Sequence, residues 1–302
     1  MIIITTTIDN YSSNGSAPLK NVNVIKNFYQ EDPMIAAANP EQVAEFRKVN
    51  NNIMVFPSNE SQKCPAPVIN FDQAFKCDPE ILKAIQSQNF VQPSAIQCQL
   101  WPIILSGYDA IAISQTGSGK TIGFLLPGLV HAHNQTDPQL TSDTRSPSIL
   151  VICPTRELAI QTNQECEKYK YREFRSACIY GGAPKGAQIN QLRAGVKIVV
   201  GTPGRINDLS ESQKLYLDKV YFKIQLYNSF SKFYRILFYP LFDQKGLKII
   251  TRSFWSDQLV SNIHRYLITT KRVRLLTSYT FFILFHLRTV KVGTVLFDKL
   301  ST

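Results

Sequence analysis

The chain has 302 residues, 44% of them hydrophobic, with a formal net charge of +11. That length supports one large or two ordinary domains, each with a sizeable core. Cys64, Cys77, Cys98, Cys153, Cys166 and Cys178 show no C-x-x-C spacing, which excludes a disulfide-stapled scaffold and predicts reduced thiols in a nuclear or cytoplasmic protein.

The start, Met1-Ile2-Ile3-Ile4-Thr5, has no basic region and too short an apolar run for a signal peptide. The run from Tyr279 to Leu287 is too short to span a bilayer, so no membrane association is expected. Residues 221–302 hold 13 Lys/Arg against 3 Asp/Glu, which leaves residues 1–220 almost balanced. A nucleic-acid site in the first 220 residues must therefore rest on placed side chains, not bulk charge.

Three segments follow in chain order. Residues 1–62 are rich in Asn, Ser, Thr and Pro with weak periodicity and read as a flexible leader. Lys26-Asn27-Phe28-Tyr29 is an aromatic island within it, which could dock on the following domain, although an aromatic pair in a linker is usually no more than that. Residues 63–220 alternate helical and strand-like patterns. Helices are predicted over 79–88 and 94–105, then a strand over 110–114, a loop and a helix. A strand at 148–153 feeds a helix over 155–169, a strand at 177–180 feeds a helix near 184–194, and a strand at 197–200 feeds a helix from about Gly204. Such alternation predicts an α/β fold, a parallel sheet covered by helices on both faces. Its ligands should sit at the carboxyl ends of the strands. Residues 221–302 contain no Glu and no Ala but 17 aromatics, and no fold is derivable from them. A divergent exon, a translated non-coding segment and an interaction module all remain readings of that stretch. Its apolar runs are an aggregation hazard.

The richest motif is Ser114-Gln115-Thr116-Gly117-Ser118-Gly119-Lys120-Thr121, between the apolar runs Ala110–Ile113 and Gly123–Leu126. Strand, glycine loop and helix make a P-loop, with Ser114 standing where the strict pattern has glycine. Backbone N–H groups of such a loop wrap phosphate oxygens, and the helix N-terminus favours negative charge. Lys120 would neutralise the β/γ-phosphates and the Thr121 hydroxyl would hold Mg²⁺, the single metal contact predicted. Pro154-Thr155-Arg156 and Thr202-Pro203-Gly204-Arg205 each follow another predicted strand, so all three loops should gather on one sheet edge. Guanidinium groups and helix-start N–H groups there suit the phosphates of a single strand. An ion pair of Arg156 with Glu157 or Glu165 is the competing reading.

Four blocks resemble the N-terminal RecA-like domain of DEAD-box ATP-dependent RNA helicases. Asn89-Phe90-Val91-Gln92-Pro93-Ser94-Ala95-Ile96-Gln97, with Phe71 upstream, resembles the family's Q motif. The P-loop is the second block. Pro154-Thr155-Arg156-Glu157-Leu158-Ala159 resembles motif Ia and Thr202-Pro203-Gly204-Arg205 motif Ib, with Gly181-Gly182 in place of the family's GG element. The resemblance covers about half the chain. It implies a RecA-like doubly wound parallel sheet, here an incomplete first helicase domain over 63–220. The flexible leader would precede it, and an irregular, aromatic-rich C-terminal tail, disordered or poorly packed, would follow.

The resemblance also implies ATP and Mg²⁺ as cofactors and RNA as partner, bound through its backbone without sequence preference by a monomeric chain. ATP contacts fall to Phe71, Phe90, Gln97, Gln115, Thr116, Gly117, Ser118, Gly119, Lys120 and Thr121. A Gln amide can pair with the adenine edge, and Phe90 offers a flat apolar face. RNA contacts fall to Pro154, Thr155, Arg156, Gly181, Gly182, Thr202, Pro203, Gly204 and Arg205. The family's acidic box should follow a strand about twenty residues past Arg205. A strand is predicted over Leu217–Phe222, yet the box position reads Leu226-Tyr227-Asn228-Ser229, and no Asp-Glu dipeptide occurs in the chain. The Ser-Ala-Thr motif and the second RecA-like domain are also missing. Thr294-Val295-Leu296-Phe297-Asp298 is a weak stand-in, a strand ending in Asp. The sequence expectation is thus a truncated helicase with no catalytic residues, holding ATP and RNA without hydrolysis or unwinding. Two alternatives are a regulatory fragment competing with a full-length helicase and, more remotely, a small-molecule P-loop kinase. A fourth outcome is a chain that does not fold stably.

Overall fold

The computed structural model describes residues 1–6, 22–57, 64–115, 117–141, 146–169 and 171–227, and the backbone of 293–297. The elements in chain order are β1 (Ile2–Thr5), α1 (Pro33–Ala36), α2 (Pro40–Val49), β2 (Ile53–Phe56), α3 (Phe71–Phe75), α4 (Pro79–Gln86) and α5 (Ala95–Leu105). Then come β3 (Ala110–Ile113), α6 (Lys120–His133), α7 (Pro138–Thr141), β4 (Ile149–Ile152), α8 (Arg156–Lys168) and β5 (Ser176–Ile179). The last five are α9 (Lys185–Arg193), β6 (Ile198–Gly201), α10 (Pro203–Glu211), β7 (Phe222–Leu226) and β8 (Gly293–Phe297).

Local chemistry starts the helices where the sequence suggests. Asn39 and Gln42 form a reciprocal capping box at α2, and Asn70 and Gln73 do the same at α3. Asp78 accepts from Ile81 N ahead of Pro79, the first residue of α4. Each device satisfies N–H groups that a helix start leaves open, and proline fits a first helical position that needs no donor.

Among the described residues, eight strands join in the order β2-β8-β3-β1-β7-β4-β6-β5. β4 is parallel to both β6 and β7, β6 to β5, and β3 to β8. β1 runs antiparallel to β3 on one side and β7 on the other, so β3 and β7 point the same way. The core strands β3, β4 and β6 are nearly continuous apolar runs, as a sheet covered on both faces requires. The α/β reading is confirmed, with a parallel-dominated sheet. On one face α5 is buried from Ile96 to Leu105 against α6. Gly128 of α6 lies so close to the Phe222 ring that a Cβ there would stand 2.9 Å from it.

Three boundaries differ from the sequence reading. Residues 22–56, expected within a flexible leader, carry α1, α2 and β2 and pack on the core. Phe28 N and Tyr29 N both donate to Leu105 O, at 2.7 and 3.0 Å, and the Phe28 ring meets His131 edge-on at 4.9 Å. Second, the sheet draws on strands outside 63–220, namely β1, β2, β7 and β8. Third, the strand expected over 217–222 begins at Phe222. Val220 N turns back to Leu217 O and Lys219 N bonds Ser146 Oγ, so the ladder starts only where Phe222 meets Ile149. All six cysteines are free thiols. No helix among the described residues is long and apolar enough to cross a membrane.

Candidate nucleotide and nucleic-acid site

Because β3, β7, β4, β6 and β5 run parallel, the loops after β3, β4, β5 and β6 leave the sheet at one edge. The P-loop, Pro154-Thr155-Arg156, Gly181-Gly182 and Thr202–Arg205 are therefore neighbours along it. This is the gathering predicted from strand-loop alternation.

The P-loop is closed on its own lysine. Lys120 Nζ donates to Ser114 O at 3.0 Å, also to Gln115 O, and lies 3.5 Å from Ser118 Oγ. Ser114 Oγ and Ser118 Oγ are 2.7 Å apart, so the serine that replaces glycine braces the loop. Gly119 caps α6 with φ 81°, left-handed backbone that costs a side-chain-bearing residue roughly 1–2 kcal/mol. Burial pulls the Lys120 ammonium down to about 8. An anion seated in the loop would replace the carbonyls as its partner. The donor set and backbone turns thus fit a triphosphate. Thr121 is half-buried in the first turn of α6, and no cluster of three or more His, Cys, Asp or Glu gathers among the described residues. Thr116 lies outside the described residues.

Gln97 is more engaged than the sequence suggested. Its Oε1 accepts from Ser94 N at 2.9 Å, closing the capping box of α5, and its Nε2 donates to Gly119 O at 3.1 Å. Ser94 Oγ adds a bond to Ser118 O at 2.9 Å. The block that resembles a Q motif thereby grips the P-loop backbone from below, and a base would compete for an amide already in use. Phe90 is 43% exposed. Phe71 instead leans on Trp101, centroids 5.9 Å apart, while the Trp101 indole donates to Ile122 O.

The two arginines of the second half of the edge behave differently. Arg156 is exposed, and no ion pair of it occurs among the described residues; Glu165 pairs with Lys168 at 2.5 Å. The Arg156 guanidinium lies over Gly182, where a Cβ would come within 2.4 Å of Nη1. Arg205 is held: Nη1 and Nη2 donate to Ala183 O at 3.3 and 3.2 Å, Nη1 to Gln188 Oε1 at 2.9 Å, and Nε faces Asp208 at 3.5 Å. Arg205 thus clamps the loop after β5 to the start of α10. Thr155 spends its hydroxyl on Leu158 N as the α8 cap, whereas Thr202 caps α10 without a side-chain bond. Gly181 and Gly204 have nothing within 4 Å of an added Cβ; packing within the chain does not require glycine there, and the bare backbone faces open space. Asp298, offered as a stand-in acid, lies outside the described residues, although the preceding strand β8 is parallel to β3.

Comparison with known proteins agrees with this geometry. The DEAD/DEAH box helicase family profile matches residues 94–224. The chain is 42% identical over 197 residues to the probable ATP-dependent RNA helicase DDX43 of Homo sapiens, covering 65% of this chain and 30% of that protein. It is 44% identical over 196 residues to the ATP-dependent RNA helicase DBP2 of Candida albicans, covering 65% and 33%. The chain thus spans about a third of the length of these relatives. Among solved structures, the RNA helicase Prp28 from Chaetomium thermophilum bound to ADP superposes with a TM-score of 0.53 at 27% identity, covering 64% of this chain and 45% of that one.

Proposed function

With residues 94–224 forming a DEAD/DEAH box helicase domain, we propose that this chain binds ATP at its P-loop and the backbone of single-stranded RNA along the adjoining strand ends, without hydrolysing the nucleotide. The observation that carries the reading is the parallel register, which sets the P-loop and three backbone-exposing loops along one edge. Lys120 and the loop N–H groups would hold the phosphates, and Thr121 would hold Mg²⁺, which when bound neutralises phosphate charge. Phe90 would face the base. Arg156, Thr202 and the open backbone at Gly181 and Gly204 would follow the RNA phosphates, contacts that read no bases.

The absence of turnover rests on what ends β7. Hydrolysis needs a carboxylate to hold the metal through water and another to orient the attacking water. β7 ends at Leu226, the sequence continues Tyr227-Asn228-Ser229, and residues 1–302 contain no Asp-Glu dipeptide. The ground state has its ligands; the transition state lacks its acids.

Titrating the intact chain with a fluorescent ATP analogue tests the reading, with Lys120→Ala as control. The intact chain should saturate and the variant should not; equal signals refute nucleotide binding at this loop. Phosphate release above background, with or without RNA, refutes the inactive assignment. Failure to retain single-stranded RNA at low salt refutes the RNA edge.

A further inference from the structure

The strand β1 holds a place its position in the chain does not suggest. Among the described residues it is the only hydrogen-bonded link between β3 and β7, and so between the sheet half carrying the P-loop and the half carrying Arg156 and Arg205. Ile2, Ile3 and Ile4 lie opposite Ala112, Ile111 and Ala110 of β3, and Ile2 to Thr5 lie opposite Leu226 to Lys223 of β7. Every residue from Met1 to Thr6 is buried, with Ile2 and Ile4 wholly inaccessible. Both ends are fastened. Thr6 N and Oγ1 reach Asp109 Oδ1 at 2.9 and 3.3 Å and Oγ1 also reaches Gly107 O, while Met1 N and O pair with Tyr227 O and N.

Two properties suit this slot to a separate strand. The neighbours β3 and β7 are parallel to one another, yet β1 opposes both. Its binding is therefore a matter of backbone ladder plus apolar faces, which any short extended apolar segment can supply. Finally, β1 starts at the P-loop edge, since Ile2 lies opposite Ala112 near the end of β3.

We propose that the slot between β3 and β7 is a binding site for a short, isoleucine-rich extended strand in antiparallel orientation. In this chain its own residues 1–6 fill it, and filling it sets the affinity of the P-loop for nucleotide. The mechanical link is short. Ile2 pairs with Ala112, two residues before Ser114, so an empty slot removes one of the two ladders that hold the strand on which the loop is mounted, leaving only the pairing with β8. The nucleotide half of the proposal rests on the reading of the P-loop given above; the strand half stands without it.

The test uses the full chain with Ile4→Asp, which places a charge at a wholly buried point of β1, and the synthetic peptide Met-Ile-Ile-Ile-Thr-Thr. Amide exchange at 110–113 and 222–226 should accelerate about tenfold or more in the variant, with fluorescent-ATP affinity falling by a comparable factor. The peptide should restore both, and a peptide with Asp at its fourth position neither. Unchanged exchange in the variant overturns the proposal, as does loss that the peptide fails to repair. If strand protection responds as described while no form binds nucleotide, the P-loop reading fails and the strand site stands. Should Ile4→Asp not fold, the intact chain decides. Amides of Ile2–Thr5 should exchange faster than those of Ile149–Ile152, and Ile3→Cys with Gln225→Cys should form a reducible bond identified by mass spectrometry. Exchange equal to that of β4, or no 3–225 bond, overturns it.

Discussion

Replacing Gly119 by Ala probes the joint between the P-loop and the helix below it. The backbone at Gly119 has φ 81°, so alanine there costs roughly 1–2 kcal/mol in strain. The new Cβ would stand 2.5 Å from Gln97 Nε2 and 3.0 Å from Ser94 Oγ. Gln97 is buried and must swing away, giving up its bonds to Gly119 O and Ser94 N, each worth about 1 kcal/mol. The single variant should lose about 2–4 kcal/mol, a fall in Tm of roughly 5–15 °C for a domain of this size. Gln97→Ala alone should lose about 1–2 kcal/mol through the same two bonds. The pair must then be non-additive, because Gln97→Ala removes the group that the methyl of Gly119→Ala would strike. Denaturant unfolding of the wild type, both singles and the double variant measures the coupling, expected near 1–2 kcal/mol. Additivity within about 0.5 kcal/mol would show that Gln97 does not grip the loop.

Three further outcomes follow from the same geometry. Burial lowers Lys120 to about 8 while a bound triphosphate requires its ammonium. Affinity should therefore be flat below pH 8 on this account and weaken up to about tenfold per unit above it; Lys120→Arg should remove that fall in a titration across pH 7 to 9.5. His131 is wholly buried, with Nε2 on Ile104 O at 2.9 Å and Nδ1 without a hydrogen-bond partner among the described residues, and burial drives it to about 4. Its folded value lies below the unfolded one, so the unfolded chain binds the extra proton between about pH 6.5 and 4. Stability should fall across that window by on the order of 3 kcal/mol, and His131→Gln should flatten the curve in unfolding measured from pH 7 to 4. Arg156→Ala should weaken RNA retention and its salt dependence without changing Tm, whereas Arg205→Ala should lower stability by about 1–3 kcal/mol through its bonds to Ala183 O and Gln188. Identical behaviour of the two variants would contradict the division into an exposed and a clamping arginine.

Local pattern determined a good deal of this protein. The alternation of apolar runs with amphipathic stretches located β3, β4, β5 and β6 within a residue or two of their observed bounds, since side-chain periodicity is a property of a few consecutive residues. Gly117, Gly119 and Lys120 marked the P-loop pattern because glycine placement is a backbone requirement visible in one short window. Parallel strands then forced the loops to a single edge. Only the tertiary structure decided who shares that edge and on what terms. Gln97 and Arg205 look alike in sequence as free polar side chains; one is spent on Gly119 O and the other on Ala183 O, partners more than twenty residues distant. The sequence left Phe28 between a linker aromatic and a docked one; the Leu105 carbonyl and the His131 ring beside it decide for docking. Met1–Thr5 read as a short apolar start, yet it bridges the sheet between strands more than a hundred residues away. Pairing across such separations depends on which edges the folded chain leaves open, and no short window of sequence contains that information.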